Sequence, residues 1–200
     1  MLWKRKSSAQ NFTIRAVVVL LFGLALYFGL QSEKVNDMLN LFKRYDVELF
    51  SEVRGQAKAN GKPLAGVEVT RSVSYEDYKD GKEQLSKTTT DSNGNFSFPP
   101  LVIKSSAPGN VFGQNMSILQ SVTIKHEDRV YFLWAASKRW KPSPAFSSLL
   151  SKLQCDLSDQ ELTFVVDTSV EDWGDFQTVE SLCRWEDNKL VRVFEDKDYL

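Results

Sequence analysis

The sequence predicts a mainly β protein: a β-sandwich behind an N-terminal transmembrane helix, with a small α/β C-terminal extension. Three observations carry this. From Val47 onward, short β-rich runs alternate with Gly, Pro, Asn and Asp clusters such as ANGKP and DSNGN, a punctuation that favours a sandwich or barrel. Residues 130–136, VYFLWAA, are apolar at every position, as a central strand buried on both faces would be. Residues 16–30, AVVVLLFGLALYFGL, carry no charge and follow a basic flank, MLWKRK.

Fifteen helical residues span only about 22 Å against a hydrocarbon core of about 30 Å. Beginning at Phe12 lengthens the span to residues 12–30, about 28 Å, and Arg15 can snorkel to the headgroups. A cleaved signal peptide is the competing reading. It needs small residues at the cleavage site, and YFGLQSEK supplies only Gly29 and Ser32 among large neighbours. Lys4, Arg5, Lys6 and Arg15 stand on the N-terminal side with no acid among residues 1–15, so the N-terminus is expected in the cytoplasm and the rest outside. The expected location is a bacterial inner membrane, single-pass, with a periplasmic C-terminal domain. A eukaryotic type II protein is the alternative, since Asn11, Asn95 and Asn115 match the glycosylation acceptor pattern.

Removing those four cations from 25 leaves 21 basic against 26 acidic side chains, a net charge of about −5 for the exported part. Nucleic acid and anionic membrane faces both want a basic footprint, so neither is expected as its general partner. Cys155 and Cys183 are an even pair in an oxidising compartment, and a disulfide is expected. It would close a loop of about 29 residues, with about 3 to 4 kcal/mol of stabilisation in the chain-entropy picture. Two buried thiols are the alternative.

Four regions follow: a cytoplasmic tail and transmembrane helix, 1–31; a juxtamembrane helix, 32–46; a β-sandwich, 47–137; and an extension packed on it, 138–200. In the second, Val35, Met38, Leu39, Phe42 and Tyr45 recur at helical spacing. Strands are expected at 48–57, 65–74, 85–91, 94–98, 117–126 and 130–137. Ser143 as cap, Pro144 at the first helical position and Phe146, Leu149, Leu150 and Leu153 on one face predict a short helix in KPSPAFSSLLSKLQC. A strand is expected at 161–167, and LCRWE with KLVRVFE as a final hairpin.

The stretch DSNGN could be a cation loop or a tight turn. An EF-hand-type loop counted from Asp91 would have Asn93 at the third position, but Gly94 falls fourth rather than sixth and Val102 replaces the bidentate Glu at the twelfth. A hairpin turn fits better, because Asn and Gly tolerate positive φ and TTT and FSF flank it as strands.

RGQAKANGKPLAGVEVTRS followed by TTTDSNGNFSFPPL resembles the carboxypeptidase regulatory-like family, also called transthyretin-like or prealbumin-like. The matching residues are Gly55, Gly61, Pro63, Leu64, Gly66, Val67, Val69, Thr90, Asp91, Gly94, Phe96 and Phe98. The resemblance covers about residues 47–137 and implies a seven-stranded prealbumin-like sandwich used as an accessory or binding module, with no chemistry of its own. The insertion SVSYEDYKDGKEQLSK and all of 138–200 depart from the family's compact pattern.

No catalytic, cofactor or metal site is expected. His126 is the sole histidine, and a catalytic zinc site draws three ligands from His, Cys or acids. No G-x-S-x-G elbow or glycine-rich phosphate loop occurs. The acidic run VEDWGDF reads as a solvated loop anchored by Trp173 and Phe176. Candidate partner-binding residues are Tyr75 and Tyr78 in the loop YEDYKDGK, Arg139 and Trp140 in KRWK, and Trp173, which combine large contact area with charge. The expected function is a non-enzymatic, membrane-anchored periplasmic interaction module with a protein partner in the cell envelope. One alternative is an immunity protein neutralising a toxin effector delivered to the periplasm. A hydrolase of unknown substrate is the other.

Overall fold

The computed structural model describes residues 43–109, 117–171, 176–185 and 191–194, together with Leu21, Gly23 and Tyr27, which are helical. The chain divides into two compact units, Met1–Lys43 and Arg44–Leu200. Among the described residues no helix is long and apolar enough to cross a membrane. The expected span 12–30 and most of the expected juxtamembrane helix lie outside the described residues. Tyr45 and Asp46, assigned to that helix, instead open a strand.

The unit from Arg44 is mainly β and sandwich-like. Its first strands are β1 (Tyr45–Phe50), β2 (Val53–Ala59), β3 (Lys62–Pro63), β4 (Glu68–Ser74), β5 (Gln84–Thr89), β6 (Asn95–Phe98) and β7 (Leu101–Ser105). Next come β8 (Ile118–His126), β9 (Arg129–Lys138) and the helix α1 (Pro144–Leu150). The chain then adds β10 (Leu153–Asp156), β11 (Leu162–Asp167), β12 (Phe176–Ser181), β13 (Cys183–Arg184) and β14 (Val191–Val193). One sheet has the order β14-β11-β12-β9-β8-β4-β5. A smaller one runs β13-β10-β2, with β6 and β3 sharing the other edge of β2. β1 pairs with β7.

Sequence chemistry accounts for the central hairpin. Ile118, Gln120, Val122 and Ile124 of β8 alternate into the core. Glu127 and Asp128 both take positive φ, 49° and 60°, as a two-residue hairpin turn requires. β9 is central, between β8 and β12, but it is not buried on both faces: Val130 is 52 % and Phe132 36 % exposed. Its unbroken apolar run has another cause. The register shifts between Val122 and Thr123, skipping Leu133, and this β-bulge lets Leu133 and Trp134 both bury completely.

Trp134 packs edge-on against Phe146 of α1 (5.0 Å) and Trp185 (6.2 Å). α1 is capped as its sequence suggests: the Ser143 hydroxyl accepts the Phe146 N–H at 3.1 Å, and Ala145, Phe146, Leu149 and Leu150 bury.

Three further sequence expectations change. The strand expected at 48–57 breaks at Ser51–Glu52, so that β1 and β2 join different sheets. The described part of 138–200 does not sit on a finished sandwich: β11, β12 and β14 extend the large sheet, and β10 and β13 extend the small one. Among the described residues the two strands of the expected final hairpin do not pair with each other: β13 pairs with β10 and β14 with β11. Cys155 and Cys183 are register partners across β10 and β13 and form a disulfide. It links β10 to β13 within the small sheet.

Candidate functional site

Two segments expected separately to contact a partner meet at one end of the sandwich. Ser74, at the end of β4, pairs with Leu119 of β8, which pairs with Ser137 of β9; Tyr75 and Arg139 follow on the two outer strands. β1 and β7 bridge them. Tyr45 is the register partner of Ser105, and the Ser105 hydroxyl bonds Asp77 and Tyr75. On its other side Tyr45 meets the Trp140 ring edge-on at 5.6 Å.

Placement differs from residue to residue. Tyr75 is 1 % exposed, and burial raises its hydroxyl pKa, with Ser105 opposing. It is therefore a core residue and no surface anchor, a correction to the sequence reading. Tyr78 is half-buried against the core, with Lys79 over its ring. Arg139 is exposed; Trp140 is half-buried, with Lys141 Nζ 5.9 Å from its ring centroid. Trp173 lies outside the described residues.

Lys138, the first cation of KRWK, also leaves the surface. Its ammonium lies 3.0 Å from Glu48 Oε1, the lysine side chain 1 % and the glutamate 16 % exposed. Desolvation lowers the lysine pKa and Glu48 opposes that shift. The Ser51 hydroxyl donates to the same carboxylate at 2.8 Å and meets the Ser147 hydroxyl at 2.8 Å. From there the chain runs through Ser147 to the Ser143 carbonyl, and Ser143 donates to Glu171. This buried array ties β1, β9 and α1 together; Lys138, Ser51 and Ser143 are each at most 4 % exposed, so a substrate would not reach them.

The DSNGN segment is a turn. Asp91 accepts the Asn93 and Asn95 N–H groups, both at 2.8 Å, and the Asn95 amide at 3.0 Å, and these bonds, the Asn95 amide foremost, lower its pKa. Gly94 has φ 76°, and its N–H returns to the Asp91 carbonyl. The carboxylate is thus consumed by its own loop. At the same end, Asp156 accepts the Asn60 and Gly61 N–H groups and both donors of Ser158, joining the ANGK turn to β10. His126 stands beside Glu127 (3.8 Å) at the β8–β9 turn. Among the described residues no three His, Cys, Asp or Glu side chains gather as metal donors.

One feature escaped the sequence reading altogether: an open trough of about 710 Å³ on the outer face of the small sheet. Gln56, Asn95, Ser97, Gln154 and Arg54 line it, flanked by Thr88, Thr89 and Lys152. Four separated segments build it, so only the alternation of polar residues along β2 and β6 hinted at a solvent-facing surface.

Residues 53–160 match the family model described as Domain of unknown function (DUF6795). The match crosses the expected boundary at 137/138 and ends after β10. No curated protein and no solved structure matches the chain.

Proposed function

The chain belongs to the family of the Domain of unknown function (DUF6795), and from that premise we propose that it is a non-enzymatic binding module anchored in the bacterial inner membrane. In this reading residues 12–30 span the membrane, the N-terminus is cytoplasmic, and the sandwich, of the prealbumin kind, projects into the periplasm. It meets a protein partner of the cell envelope through the end formed by Tyr78, Arg139 and Trp140.

The observation that carries the reading is the convergence just described. The insertion after β4 and the segment after β9, both departures from the compact prealbumin-like pattern that the motifs resemble, reach the same end through the Tyr45–Trp140 and Ser105–Asp77 contacts. A half-buried tryptophan flanked by an exposed arginine has the make-up of an interface anchor. The Cys155–Cys183 disulfide supports the compartment, since such bonds persist where thiols are not kept reduced. The prealbumin-like assignment rests on motif residues that serve as turns here: Gly61, Gly66 and Gly94 all have positive φ.

Fusing alkaline phosphatase to the C-terminus and washing membranes with carbonate tests the anchoring. An active fusion retained in the membrane fraction is expected. An inactive fusion, or release as a shortened soluble species, overturns the reading.

A further inference from the structure

We propose that the trough on the outer face of the small sheet is a second binding site, for a neutral oligosaccharide of β-linked pyranose units. It is separate from the Trp140 end and does not depend on the membrane reading.

Strand register sets the geometry. Gln154 of β10 is the partner of Gln56 of β2, which is the partner of Asn95 of β6, so three amide side chains stand in one row across three strands. Neighbouring strands lie about 4.8 Å apart. That spacing is comparable to the length of one pyranose residue, so a sugar chain laid across the strands brings one ring over each amide. The next row on the same face holds Arg54, opposite Ser97. Gly55 between them turns its bare side to the core, where a Cβ would come within 2.6 Å of the Phe96 ring.

Chemistry selects the ligand class. Gln56 donates its amide N–H to the Asn93 carbonyl, and Asn95 donates its own to Asp91. Both are held with a carbonyl oxygen left as acceptor. Among the described residues nothing in the fold engages the side chains of Gln154, Ser97, Thr88 and Thr89, which add donors and acceptors together. A phosphate or carboxylate needs donors only, and would find acceptors interleaved. Charge does not favour it either: Arg54 is paired with Glu52 at 2.7 Å, and Lys152 and Asp91 balance. A protein partner would want an apolar anchor point, and Phe96, the one large apolar residue lining the trough, is 5 % exposed. Hydroxyl groups, which both donate and accept, fit the whole set.

The purified full chain is titrated with a β-1,4-linked N-acetylglucosamine tetrasaccharide and with cellotetraose, following amide shifts by NMR. Saturable binding of at least one sugar is expected, with a dissociation constant on the order of 1 mM and little salt dependence. Gln154→Ala should weaken it about three- to tenfold, one or two hydrogen bonds' worth. Absence of saturation with both sugars overturns the proposal. So does binding that falls steeply with salt and is lost in Lys152→Ala but not in Gln154→Ala, the signature of an anion site.

Discussion

Lys138 Nζ of β9 lies 3.0 Å from Glu48 Oε1 of β1 in a nearly dry interior, so a cation that the sequence assigns to the surface holds the large sheet to the β1–β7 pair. Either single substitution strands a partner: Glu48→Ala leaves the ammonium, 1 % exposed, without its counter-charge, whereas Lys138→Met leaves a carboxylate that is 16 % exposed and keeps the Ser51 hydroxyl as donor. Glu48→Ala should therefore lower stability by about 3 to 5 kcal/mol in urea titrations, and Lys138→Met by clearly less. Equal losses in the two variants would show that the ammonium finds other compensation.

Gly94 and Gly61 separate two uses of glycine. Both have positive φ, but a Cβ on Gly94 would lie 2.3 Å from the Ala57 carbonyl oxygen, while one on Gly61 meets nothing within 4 Å. Gly61→Ala should cost about 1 to 2 kcal/mol, the price of a left-handed backbone alone. Gly94→Ala should cost about 3 kcal/mol or more, since the β2–β6 ladder must also shift. Thermal melts of both variants make the comparison.

Acid should loosen the end where Asp156 caps the ANGK turn. Burial raises its pKa, but hydrogen bonds from Ser158, Gly61 and Asn60 outweigh that and leave it lowered. A carboxylate with a lowered folded-state pKa binds fewer protons folded than unfolded. Its stabilisation is present above the unfolded pKa of about 3.9 and disappears as pH falls through the lower folded value. In Asp156→Asn the urea midpoint should depend less on pH below about 4 than in the parent. An unchanged acid slope would contradict this.

Local chemistry made much of the fold legible. Asn60–Gly61 and Asp91–Gly94 announce turns, Ser143–Pro144 announces α1, and the alternation of β8 announces its face. Legibility fails where pairing is non-local. β10 takes β2 as a parallel neighbour and β13 as an antiparallel one, and nothing in LQCD or LCR states that choice beyond the two cysteines. The apolar run of β9 suggested two buried faces because a bulge, invisible in composition, turns Leu133 and Trp134 the same way. Tyr75 looked exposed among Glu76, Asp77 and Tyr78, yet Ser105, thirty residues on, holds it inside. Of the candidate site, Arg139 and Trp140 were readable because a cation and an aromatic adjoin at a strand end. The trough was not, since its row of amides exists only in register.

The central claim is that a partner docks at the Tyr78–Arg139–Trp140 end, and site-specific photo-crosslinking in cells tests it most directly. A photo-reactive residue is placed in the full-length chain at Tyr78 or Arg139, and as a control at Lys125, near the β8–β9 turn at the opposite end of the large sheet. A discrete adduct with an envelope protein is predicted from positions 78 and 139, absent from 125. It should be lost in Trp140→Ala while melting stays cooperative, and kept in His126→Ala. Adducts from Lys125 alone, or an adduct from Arg139 that survives Trp140→Ala, would contradict the account.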